Sequence, residues 1–368
     1  MNMRARPVVV LIKALCLFVL LNTVFAFIHP AIADISVYNT IFPGLERMPF
    51  GVRGDPFSVT MDNVHAMFAA HEVSRPKRPN EIRVVLVGDS SIWGEGLYLS
   101  ETLSAQLTRK GLQCNGKTVT AYNLGYPHPS IVKDLVFIDE VNVRQPDAIV
   151  WFITMNTVVN QFGLNPFIVT NRQRVLRILE KYDIRYGPRK ALSEMENGFY
   201  DQTVVGQRSF LARWMKLQSL GLIWAATGMD SHVTPNPTGT MPLDVANSTR
   251  YRTLGPDTDL RASLLLNTLA AGRDLSGTTP VLLVDEPIFV VNGMNSDVRY
   301  NDLYPRWAFD QYRDLVAAQA ESLSMPYLDL WNEIPPEYFT DTPFHLSPEG
   351  ERLLMEQIAP SLLSMVCK

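Results

Sequence analysis

Three stretches, 81–88, 117–124 and 147–154, are short and predominantly apolar, and each ends in turn-forming or polar residues: Gly88-Asp89-Ser90, Asn123-Leu124-Gly125 and Thr154-Met155-Asn156. A strand without a polar face has to be covered twice, as happens to a parallel strand between two helical layers. Helical signals fall between them. Ser100 caps a segment with Leu103 and Leu107 on one face that stops at Gly111, and a second helix starts near Ser130 with Leu135 and Ile138 on one side. Helix–strand pairs follow at 259–273 with 279–284 and at 306–323 with 326–330, before a last helix from about Pro348. The alternation predicts an α/β fold with a doubly wound parallel sheet. Ligands of such sheets bind outside the carboxyl ends of the strands, so Ser90, Gly125 and Asn156 are predicted to converge on one cleft.

Between Asn156 and about Pro256 this rhythm stops. A helix near 172–182, an apolar stretch at 210–224 and a Pro/Thr/Gly-rich segment at 232–255 replace it, and the whole of 157–256 reads as a mostly helical insertion or lid. The 210–224 stretch contains Arg213 and Lys216 and reads as a subdomain helix, with an interfacial helix lying on a membrane as the alternative. The loop after it is long enough to suggest a part in substrate access.

The front of the chain is different in kind. From Pro7 to Phe27 it is apolar, and Arg4, Arg6 and Lys13 are the only charges before Asp34. Such a helix is about the ~20 residues needed to cross a bilayer. Its length favours a retained anchor, while Ala31-Ile32-Ala33 offers a peptidase site that would release the body. Either fate exports the remainder, because basic residues precede the helix and none follows it closely. The organisation expected is an N-terminal signal-anchor or signal peptide at 1–33, an extracytoplasmic linker at 34–80, and a domain at 81–368 carrying the insertion. Overall the chain is 46% hydrophobic and 19% charged, a globular composition. The part after the helix holds 30 basic against 37 acidic residues, so nucleic acid and anionic surfaces have no electrostatic attraction for it. An oxidising compartment would permit a Cys114–Cys367 bridge, Cys16 lying in the apolar helix. There is no CxxC or HExxH, and neither a metal nor a cofactor is expected.

Serine needs a base, an acid that orients the base, and donors aimed at the developing oxyanion. Ser90 is presented at a sharp strand-to-helix turn. His345, in Asp341-Thr-Pro-Phe-His345-Leu-Ser-Pro-Glu-Gly350 just before the last helix, is the candidate base, with Asp341 as its acid and Asp329 in reserve. His128 is a weaker competitor, more suited to the rim. The N–H groups of Ser90 and Gly125 and the Asn156 amide are the candidate oxyanion donors. Asn292, Asn295 and Arg299, in the loop after the strand at 279–284, should border the same cleft and would suit a sugar.

Gly88-Asp89-Ser90 after a strand, Asn123-x-Gly125, Asn156 after the third strand, and His-Leu-Ser-Pro-Glu-Gly before the terminal helix resemble, in order and spacing, the four blocks of the SGNH or GDSL-type hydrolases. The resemblance spans roughly 81–156 and 279–366. It implies a flavodoxin-like three-layer α/β/α sandwich and metal-independent ester chemistry through an acyl-serine. Two blocks depart from the family pattern. Thr154-Met155-Asn156-Thr157 stands where Gly-x-Asn-Asp is common, and three residues rather than two separate Asp341 from His345. An exported, tethered body of this kind also resembles proteins that add or remove acyl groups on envelope polymers. Three functions follow: an esterase or deacetylase acting on an envelope glycan or lipid, an O-acyltransferase using the same serine, or a noncatalytic assembly subunit that kept the fold. The partners expected are an ester substrate and the membrane, and the location is extracytoplasmic.

Overall fold

A computed structural model describes residues 7–51, 58–160, 163–195, 198–227 and 241–367. Six strands form one sheet: β1 (Glu81–Gly88), β2 (Gln113–Cys114), β3 (Lys117–Gly125), β4 (Ala148–Ile153), β5 (Val281–Asp285) and β6 (Tyr327–Asp329). Their order is β2-β3-β1-β4-β5-β6, parallel throughout except for β2, a two-residue antiparallel edge on β3. This is the doubly wound α/β fold that the apolar runs predict. The edge strand β2 has no counterpart in that reading, since two residues carry no periodicity.

Alternation along the strands divides the interior into two cores. Val85, Val87, Ile149, Trp151 and Leu283 face one side, and Val84, Leu86, Val150, Phe152 and Leu282 face the other. Each such side chain, fully buried, contributes about 1.5–3 kcal/mol. The first face is covered by helices Ile131–Val141, Asn267–Leu275 and Arg306–Ser322, the second by Leu103–Lys110 and Pro348–Val366. Local chemistry starts and stops these helices. Thr102 caps Leu103–Lys110, and Ser347 caps Pro348–Val366, where Pro348, Glu349 and Glu351 occupy the first turn. The cap expected at Ser100 therefore falls at Thr102. The helix expected at 259–273 is two pieces, a 3-10 turn at Leu260–Ser263 and the helix Asn267–Leu275.

Within 34–80, expected to be a linker, described residues are built into the domain. Helix Val64–Ala70 buries Val64, Met67, Phe68 and Ala70 in the first core, and Met48 is buried beside it. Arg83 explains part of this attachment. Its buried guanidinium donates to Glu81 and to the carbonyls of Val73, Arg75 and Arg144, so a charge inside β1 is matched in part by the preceding segment, through Val73 and Arg75. The insertion is helical, with Pro166–Thr170, Arg172–Lys181, Arg189–Ser193 and Arg208–Thr227, and Phe167, Val175, Leu179 and Leu217 enter the same first core. Much of the loop expected at 232–255, residues 232–240, lies outside the described residues. The N-terminal helix runs Pro7–Ile28 and is long and apolar enough to cross a membrane. Cys114 and Cys367 are joined by a disulfide that links edge strand β2 to the end of the last helix.

Candidate active site

Strand β1 lies between β3 and β4, so the chain leaves it toward opposite sides of the sheet, and its carboxyl end is the topological switch point. Ser90 stands there. Asp89 caps the short helix Ser90–Trp93 by accepting from Ser91 N at 3.1 Å, and the helix closes at Gly94, whose φ of +80° suits glycine. Buried Lys133 donates to Gly88 O at 2.5 Å from the helix after β3, and Trp93 Nε1 donates to Met48 O at 2.9 Å. The serine turn is thus held from both flanks. Ser91 Oγ is hydrogen-bonded to Asp89 and to Glu286, the residue after β5. Burial, and then the nearby Asp89, raise the Glu286 carboxyl well above its usual range.

The loop before the last helix closes on itself. Thr340 N donates to His345 O at 2.9 Å, Phe339 and Leu346 form an antiparallel bridge, and Thr342 Oγ1 accepts from His345 N at 3.1 Å. This small hairpin turns the three-residue spacing into a contact. His345 Nδ1 lies 2.9 Å from Asp341 Oδ1, and Nε2 lies 2.9 Å from Ser90 Oγ. A carboxylate only accepts, so Nδ1 carries the hydrogen toward Asp341 and Nε2 is left to accept from the Ser90 hydroxyl. Burial opposes charge on His345, but Asp341, Glu95 and Asp89 together outweigh it and raise the imidazole above its ordinary value. The hydrogen bond from His345 holds Asp341 below the usual carboxylate value.

The Asn156 turn uses the residues that depart from the family pattern. Thr154 N donates to Thr157 Oγ1 at 2.9 Å and Thr157 N to Thr154 Oγ1 at 3.3 Å, a reciprocal cap on the turn Met155–Val158. Asn156 is half-buried at the end of β4, next to β1.

Other candidates serve the fold. Gly125 N–H donates to Asn123 Oδ1 at 3.0 Å, so it is held within its own strand end rather than presented to a substrate oxygen. What glycine supplies there is space, since a Cβ would stand 2.2 Å from Trp93 N. Asp329 pairs with Arg313 and not with a histidine. His128 packs against the rings of Phe50 and Tyr126. Arg299 is buried and donates to the carbonyls of Ser248, Arg250, Asn301 and Asp302, and Asn295 Nδ2 donates to Val245 O at 2.7 Å. Both therefore fasten the end of the insertion to the loop after β5 instead of facing a sugar, while Asn292 is exposed beside them.

Two residues not anticipated from sequence join the site. Glu95 Oε2 lies 3.8 Å from His345 Nε2, and Glu95 N donates to Ser90 O at 3.1 Å. Its place five residues after Ser90, in Gly94-Glu95-Gly96, was a readable signal. Arg252, from the insertion, donates through Nη2 to Asn156 Oδ1 at 2.9 Å, and no local pattern announces that pairing. Among the described residues no group of three or more His, Cys, Asp or Glu side chains is placed to hold a metal ion.

No family model matches the chain, and no curated protein matches it. Solved structures similar to it include GDSL-type lipases and a salicylyl-acyltransferase, SsfX3, which is 14% identical with a TM-score of 0.35 over 79% of this chain and 56% of that one. A lipase/acylhydrolase from Enterococcus faecalis is 14% identical with a TM-score of 0.37, over 77% of this chain and 95% of that one. A member of the lipolytic G-D-S-L family from Veillonella parvula is 12% identical with a TM-score of 0.33, over 76% and 96%. A carbohydrate acetylesterase family member from Sinorhizobium meliloti is 13% identical with a TM-score of 0.32, over 77% and 99%. What each residue does in this chain rests on the geometry of its own site.

Proposed function

We propose that the protein is a serine-dependent esterase of the SGNH type that removes O-acyl groups from a cell-envelope glycan or lipid. The observation that carries this is the unbroken hydrogen-bond chain from Ser90 through His345 to Asp341, with 2.9 Å at both links. Ser90 Oγ attacks the acyl carbonyl as His345 Nε2 takes its proton, and Asp341 stabilises the imidazolium. The tetrahedral oxyanion is received by Ser90 N–H, which as the first helical amide lies outside the helix's own bonding, and by the Asn156 amide. His345 returns the proton to the leaving alkoxide, and acyl-Ser90 remains. Water then adds to the acyl carbon, giving its proton to His345, and collapse releases the acid with the proton restored to Ser90. Ser90 and Glu95 beside it are both half-buried rather than sealed off, so water can reach the intermediate, which favours hydrolysis over transfer.

The membrane reading rests on the N-terminal helix and what it touches. Val205 N donates to Asn22 Oδ1 at 3.1 Å, His29 Nε2 lies 2.9 Å from Gln202 Oε1, and the rings of Phe27 and Phe199 are 6.0 Å apart. Cleavage after Ala33 would discard all three contacts. They support a retained, single-pass anchor with the catalytic body outside and its insertion seated at the membrane end of the helix.

The test is labelling by a fluorophosphonate together with hydrolysis of an activated acetyl ester. Wild type should label and turn over, and Ser90→Ala should do neither. Equal labelling of the two would point to the noncatalytic subunit, and an acylated glycan appearing in place of free acid would point to transfer.

A further inference from the structure

The insertion returns to the sheet along a path that is fastened at every step. Arg299 holds the carbonyls of Ser248 and Arg250, Trp307 Nε1 donates to Thr249 O at 2.6 Å, and the buried Tyr251 ring lies 6.2 Å from that of Tyr304. Tyr251 and Leu254 exchange backbone hydrogen bonds at 3.0 and 2.8 Å, closing a tight turn around Arg252 and Thr253. In that turn Arg252 has a φ of +55°, a left-handed conformation that a side chain disfavours. An arginine at a position suited to glycine or asparagine calls for a reason; its guanidinium lies 5.6 Å from the Tyr251 ring centroid within the turn, and it also reaches a partner outside it.

That partner is Asn156. A guanidinium has donors and no acceptor, so the amide atom facing Arg252 is Oδ1, and the NH2 group is directed away from it. The positive charge also draws electron density from the amide, which strengthens its N–H groups as donors.

We propose that Arg252 is a positioning residue that sets the Asn156 amide with Nδ2 toward the developing oxyanion, so that the insertion completes the active site on the sheet. This rests on the reading of Asn156 as an oxyanion donor. Arg299, through the carbonyls of Ser248 and Arg250, holds the turn that carries Arg252 and thereby acts one step further from the chemistry.

The informative variant is Arg252→Gly, because glycine accepts the left-handed backbone and the fold should keep its denaturation midpoint. With an activated acetyl ester and the full chain in detergent, kcat should fall by about 10-fold or more, in keeping with loss of a charge-assisted hydrogen bond, while KM and the acidic limb of the pH profile stay in place. Arg252→Lys, which keeps the charge, should recover part of the loss. Asn156→Ala should lower kcat by about 100-fold or more, as removal of one oxyanion donor does. In that background Arg252→Gly should cost nothing further. An unchanged kcat for Arg252→Gly in the wild-type background, or the same loss in both backgrounds, would overturn the assignment of Arg252. A wild-type kcat for Asn156→Ala would instead remove the oxyanion reading and this proposal with it.

Discussion

His345 lies between two carboxylates that hold it differently. Asp341 bonds Nδ1 directly, whereas Glu95 lies 3.8 Å from Nε2, beyond hydrogen-bond range, and acts through its charge. Replacing Asp341 by Asn should therefore cost turnover far more than binding, about 10²–10⁴-fold in kcat on an activated ester, because both the tautomer and the imidazolium lose their partner. An unchanged kcat would take Asp341 out of the relay. For Glu95→Gln the expected effect is on pH. In the proposed relay the base works as neutral imidazole, so activity should fall as pH drops through the raised His345 value. Removing a nearby negative charge lowers that value, and the acidic limb of kcat/KM should move to lower pH. A limb that stays put would mean Glu95 does not bear on the proton transfer. Ser90 and His345 were legible from sequence because each sits where a strand or helix boundary is written locally. The contact with Asp341 was less so, since the Thr342 hydroxyl and the Phe339–Leu346 bridge that fold the loop have no spacing signature.

At the scale of elements, the serine helix depends on how closely β3 can approach it. A Cβ on Gly125 would fall 2.2 Å from Trp93 N, which is backbone and cannot rotate away. Gly125→Ala should destabilise the protein by about 1–3 kcal/mol, read as a lower denaturation midpoint, and should slow fluorophosphonate labelling as the Ser90–Trp93 helix is displaced. Stability and labelling equal to wild type would show that the two elements can separate at no cost. The glycine itself was visible in the sequence at the end of the second apolar run, but the neighbour it makes room for was not. The same holds for Arg299. A polar loop after β5 looked like a sugar site, whereas four carbonyls brought from separate segments make its arginine a fastening.

At the scale of the whole molecule, a disulfide ties the sheet edge to the end of the last helix. The Cys114–Cys367 bridge spans 253 residues of sequence, and by chain entropy alone such a loop is worth about 5 kcal/mol. Cys367→Ser should accordingly lower the unfolding free energy measured in urea under oxidising conditions, and a reductant should bring wild type to the same value. If the helix Pro7–Ile28 is retained, a tryptic digest of the membrane fraction should contain the peptide 14–47, which no Lys or Arg interrupts. Deleting residues 1–33 should release a body that still turns over, since the site is built on the sheet. Sequence by itself determined the sheet, the strand ends at which Ser90 and Asn156 stand, and the apolar leading helix, because runs of apolar residues and their caps act on backbone within a few positions. Only the tertiary structure decided which acid meets His345, that Gly125 serves packing, that the helix Val64–Ala70 joins the core, and that Arg252 meets Asn156. Arg252 and Asn156 are 96 residues apart in sequence, and packing rather than local preference chooses among polar partners at such separations.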